Sequence, residues 1–198
     1  MRRPAPAEPL QGGGACERCG APYSPGFTFG RWCAGTCDRG SAARGLLVLS
    51  CSELKLPAPG PVAAWRRYDG VLFRVCKRLQ GTGDFPDVAV RILSAEHGIL
   101  RPEDPIEPYD RRMDEARALQ LRCAVTAAVH LALCEEEAGE VYLAMGRAYR
   151  GALDDRRLPA HVRVVEGGGE IGRMQSALLA WLAARSPLSD QLPLWPAA

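Results

Sequence analysis

The chain has 198 residues, 47 % of them apolar, with 25 basic against 23 acidic side chains and a formal charge of +2. That length supports one moderate core plus a small appendage, and the charge is too balanced to indicate nucleic acid by itself. No run reaches the ~20 consecutive apolar residues of a membrane helix, and Met1-Arg2-Arg3 leads into Pro, Ala and Glu rather than an apolar stretch, so a cytoplasmic protein with no membrane partner is expected.

Residues 1–15 are dominated by Pro, Ala, Gly and Gln, too few large apolar groups to offset the entropy of ordering, and read as a disordered arm. Residues 16–40 hold four of the eight cysteines. Cys16-Glu17-Arg18-Cys19 and Cys33-Ala34-Gly35-Thr36-Cys37 are two knuckles separated by a loop containing Gly and aromatic residues. Four thiolates complete a tetrahedral zinc site without a large core, and no position is left open for water. The segment resembles small treble-clef or zinc-ribbon modules, so Cys16, Cys19, Cys33 and Cys37 are expected to hold one structural zinc. With no export signal, metal ligation or free thiols are favoured over a disulfide framework.

From residue 45 to about 185 the apolar pattern alternates between two periods. Leu46–Ser50 reads as a buried strand ending in Cys51-Ser52-Glu53-Leu54-Lys55, and Pro57, Pro59 and Pro61 keep the polar tail of this strand irregular. Val62–Leu79 reads as a helix with Val62, Trp65, Val71, Leu72 and Val75 inward. Val88–Leu93 is a second strand. Ala116–Glu137 is a long helix with Leu119, Cys123, Ala127, His130 and Cys134 near one stripe. Glu140–Ala144 is a third strand, Arg147–Leu153 a short helix, His161–Val165 a fourth strand and Gly172–Ala184 a last helix; residues 186–198 are a tail. This order predicts an α/β fold, a largely parallel, Rossmann-like three-layer sheet, because right-handed crossovers cover both faces.

In such a sheet the chemistry belongs at the C-terminal strand ends. After the first strand, Lys55 is a candidate nucleophile or electrostatic clamp and Cys51 a candidate thiolate, with Ser52 beside them. Ser52 and Lys55 also match SxxK, but no helix start or companion motif accompanies them. The second strand ends in Ser94-Ala95-Glu96-His97-Gly98, where His97 is the best general acid or base and Gly98 implies a tight turn. Tyr109 and Asp110, behind Pro108, offer a ring and a carboxylate to a planar base. Gly146 and Arg147 offer backbone N–H groups and a cation to an anion. His130 and His161 read as structural. Gly167-Gly168-Gly169 fits neither GxGxxG nor a P-loop.

Cys-Ser-x-x-Lys-Leu-x-x-Pro, Tyr68-Asp69-Gly70 with Phe73, Ile92 through Gly98, and Pro108-Tyr109-Asp110, in that order, resemble a bacterial domain family of uncharacterised function related to the YaaA peroxide-stress proteins. The resemblance covers about residues 46–184 and implies DNA binding and protection from oxidative damage. The Cys-Ser-x-x-Lys element is also similar to that of archaeosine synthase, which modifies a deazaguanine base in transfer RNA through a lysine; here Leu56 succeeds Lys55 where that family continues Lys-Pro-Tyr. The four-cysteine module sets this chain apart from the first family.

These readings converge on a protein that binds a nucleobase, nucleotide or nucleic acid at the strand-end loops, with or without modifying it. Lys55 and His97 would then be the reactive groups, Ser52 and Ser94 would orient the ligand, and Tyr109 would stack on it. The alternative is a non-catalytic DNA-binding stress protein whose loops grip phosphate.

Overall fold

A computed structural model describes residues 44–186. The expected arm, the zinc module with Cys16, Cys19, Cys33 and Cys37, and all but the first residue of the tail lie outside the described residues. The first elements are β1 (Gly45–Ser50), β2 (Val62–Ala63), α1 (Ala64–Arg67), α2 (Val71–Thr82) and β3 (Val88–Ser94). Then come β4 (Gly98–Leu100), β5 (Pro105–Ile106), α3 (Glu115–Glu135), β6 (Glu140–Ala144), α4 (Arg147–Arg150), β7 (Arg163–Glu166) and α5 (Ile171–Ala183).

Five strands form a mixed, mostly parallel sheet in the order β4-β3-β1-β6-β7. β1 is central and runs parallel to β3 on one side and to β6 on the other. Its run Leu46-Leu47-Val48-Leu49 is fully buried on both faces, which is why it is continuously apolar rather than alternating. β7 extends the parallel set beyond β6, and β4 turns back antiparallel on β3.

Leu47, Leu49, Val90 and Ile92 pack under Phe73 and Cys76 of α2 and Leu178 and Trp181 of α5. Leu46, Val48, Val141 and Leu143 pack on the other face under Val125, Val129 and Leu133 of α3. Truncating any of these large apolar side chains to Ala would cost about 2–5 kcal/mol. The helix ends obey local chemistry: Asp114 caps α3 by accepting the Arg117 N–H at 2.7 Å, and Gly83, at φ +78°, closes α2 in the left-handed conformation.

Two sequence expectations need correction. The single helix expected over Val62–Leu79 is interrupted: β2 and α1 come first, and α2 starts only after Tyr68-Asp69-Gly70. The segment after β1 folds back here. Leu56 N–H donates to Arg67 O (2.8 Å), Asp69 N–H donates to Leu54 O (3.0 Å), and Lys55 bridges Tyr68. Long-range partners thus take backbone groups that a continuous helix would need. Leu72 and Val75 are buried as expected, but Val71 is 42 % exposed.

The second correction concerns the face of α3. Leu119, Cys123 and Cys134 are exposed, while Ala118, Val125, Val129, Ala132 and Leu133 face the sheet. Apolar residues lie all round this helix, so periodicity alone does not select a stripe. By length and composition α3 would also pass for a membrane span, the only such helix among the described residues; its inward face packs on the sheet.

Candidate functional site

The strand order reverses at β1. The next long strand, β3, lies on one side of β1, and β6 lies on the other. Such a reversal opens a crevice at the C-terminal strand ends, where two crossovers diverge. Cys51 enters this crevice directly from β1, its N–H held by Leu93 O at 2.8 Å. Its Sγ lies 3.0 Å from the hydroxyl of Tyr149, which α4 carries in from the end of β6. Burial is the main cause that pushes the Tyr149 phenol well above its ordinary range, and the neighbouring Cys51 raises it further.

Tyr109 is the hub of the second strand end. Its hydroxyl lies 2.6 Å from that of Tyr68 and 2.9 Å from Ser94 Oγ. Ser94 Oγ also accepts the N–H groups of Glu96 and His97, both at 3.1 Å. With its acceptor capacity taken, Ser94 has its proton left for Tyr109, and Tyr109 can pass its own to Tyr68. Burial is the main cause pushing both phenols up, Tyr68 to about 12.

Two reactive residues flank the Tyr109 ring. Lys55 Nζ sits 4.5 Å from its centroid, a cation–π contact, and the His97 ring meets it edge-on at 5.2 Å between centroids. The Lys55–Tyr68 bridge sets the height of the lysine, and the β3–β4 turn sets that of the histidine. Beside Tyr109 a cavity of ≈ 370 Å³ opens between Pro57, Pro59, Pro108, Lys55 and Arg67.

Cys51, Lys55, Ser94, His97 and Tyr109 therefore share one strand-end region. Other candidates are placed differently. Ser52 Oγ donates to Leu54 O (2.6 Å) and accepts from Gly70 N–H (3.1 Å), bracing the loop that carries Lys55. Within the shared region, by contrast, Ser94 is fully buried and holds Tyr109 rather than facing a cavity. Gly98, at φ +76°, makes the hairpin turn opposite Ser94. Asp110 is exposed next to Tyr109. Gly146 precedes α4, which is only four residues long, and Arg147 is exposed to solvent.

Three residues of this region had no role assigned from the sequence. Tyr68 and Tyr149 are aromatic groups whose hydroxyls matter only through partners far along the chain. Arg67 is 1 % exposed, and its guanidinium donates to the carbonyls of Leu56, Ala58, Gly60 and Ile106. The one available signal was Tyr68-Asp69-Gly70, a helix-breaking tripeptide inside an otherwise helical pattern. No cluster of three or more His, Cys, Asp or Glu side chains suited to a metal occurs among the described residues.

No curated protein matches the chain. A family model described as a family of unknown function, DUF6884, matches residues 46–182, and the chain belongs to that family.

Proposed function

We propose that the strand-end loops bind a nucleobase, nucleotide or modified nucleic acid, with the base lodged beside Tyr109 and Lys55 as the electrostatic clamp. The observation that carries this reading is the Tyr109 ring, tethered through its hydroxyl to Tyr68 and Ser94, with Lys55 on its face and His97 at its edge. A ring held at one end presents a rigid apolar surface beside a cation. The adjoining cavity of ≈ 370 Å³ falls in the range of small-ligand sites. The likeness of Cys51-Ser52-x-x-Lys55 to the lysine element of archaeosine synthase, and of the wider motif order to YaaA-related proteins, points to the same loops.

If the ligand is also transformed, Lys55 is the nucleophile and His97 the proton-transfer group. In the DNA-binding reading the same cations grip phosphate. Calorimetric titration with free nucleobases, nucleosides, 5′-monophosphates and a duplex oligonucleotide at low and high salt separates these readings. The expected result is saturable binding of a base-containing small ligand, lost in Tyr109→Ala. Salt-sensitive duplex binding, with no binding of any small ligand, would replace the proposal by the DNA-grip alternative. Lys55→Arg then tests chemistry, since a guanidinium keeps the charge but stays protonated and cannot attack.

A further inference from the structure

Arg67 and Lys55 line the same cavity. Neither forms an ion pair with a carboxylate among the described residues. Arg67 donates four hydrogen bonds to neutral carbonyls, at distances from 2.5 to 3.3 Å, and its Nε is buried with no partner. Carbonyl dipoles stabilise the guanidinium but do not cancel its charge, and a buried cation without a counter-charge is costly. The remaining walls are Leu56, Ala58, prolines and Tyr109, none of which carries a charge at neutral pH. Two cations and no carboxylate among its lining residues give the cavity a positive character that suits an anion.

We propose that this cavity holds the phosphate of a small phosphomonoester, a nucleoside 5′-monophosphate, against Lys55, with Arg67 supplying a second positive charge from behind the proline wall. This rests on the nucleotide reading above and narrows it. Arg67 also has a positioning role: it gathers the carbonyls of Leu56, Ala58 and Gly60, which alternate along the segment, and so folds Pro57-Ala58-Pro59 into the wall itself.

The test titrates the full-length protein with the common ribonucleosides, their 5′-monophosphates, ribose 5-phosphate and inorganic phosphate. The expected result is that the 5′-monophosphates bind at least about tenfold more tightly than the parent nucleosides, the scale of one charge-assisted hydrogen bond. In Lys55→Gln that advantage should collapse. Equal affinity for nucleoside and nucleotide overturns the phosphate site and leaves the nucleobase reading standing. Ribose 5-phosphate binding as tightly as every nucleotide keeps the phosphate site and removes the nucleobase reading. No binding of any probe overturns both. The wild-type comparison alone is decisive should Lys55→Gln fold poorly, and Arg67→Lys, which keeps the charge but loses the carbonyl fork, should weaken phosphate binding while loosening residues 56–60 to proteolysis.

Discussion

The Cys51 thiol and the Tyr149 hydroxyl meet at 3.0 Å across the crevice between β1 and β6, although 98 positions separate them in the chain. This contact joins the loop after the central strand to the helix after its neighbour. Its contribution can be isolated by a double-mutant cycle of Cys51→Ala and Tyr149→Phe, read by urea denaturation. A coupling of about 0.5–1.5 kcal/mol is expected. Strictly additive effects would mean that the pair does not hold the crevice together.

Alkaline pH should unfold this protein early. Tyr68 is fully buried and its phenol is raised from 10.0 to about 12, and the equally buried Cys76 thiol is raised from 9.0 to about 12, both chiefly by burial. The unfolded chain releases these protons first, so it binds fewer protons than the folded chain as pH rises. Stability is therefore fully present below pH 9 and is lost as pH climbs toward 12, by about 1.4 kcal/mol per pH unit for each group once its unfolded form has ionised. Denaturation curves between pH 8 and 11 should show this slope. Tyr68→Phe should flatten it above pH 10, and an unchanged slope would contradict the assignment.

Two glycines should respond oppositely to alanine. A Cβ at Gly70 would lie 2.5 Å from Ser52 Cβ, so Gly70→Ala must displace the 52–54 loop and with it Lys55. A loss of about 1–3 kcal/mol, with weakened ligand binding, is expected. Gly81, inside α2, meets nothing within 4 Å, and Gly81→Ala should stabilise by about 0.5–1 kcal/mol through helix propensity alone. Thermal melts of both variants check the pair; equal responses would show that the Gly70 approach is not tight.

For the cysteine quartet, elemental analysis of the purified chain should return one zinc per molecule, and Cys37→Ala should release it. The DUF6884 domain should keep its far-ultraviolet circular dichroism in that variant, because its core is built between residues 46 and 182. A metal-free wild-type protein would remove the zinc assignment.

The sequence by itself determined the four parallel strands and the loops at their ends. Leu46–Leu49 is apolar at every position because β1 is covered on both faces, and that signature is local. Cys51, Lys55, Ser94 and His97 could be named as candidates because a parallel sheet delivers successive strand ends to one edge, and Tyr109 because Pro108 stiffens the loop that carries its ring. Only the tertiary structure decided the break at Tyr68-Asp69-Gly70, since the groups that interrupt the helix come from Leu54 and Leu56. It also chose the buried face of α3, where apolar residues on every side leave the sheet to make the selection. Finally, it brought Tyr149 to Cys51 and wrapped four carbonyls around Arg67. Periodicity records which way a side chain faces within its own element, but a hydrogen bond between distant segments depends on how those elements stack, and no single window of sequence contains that information.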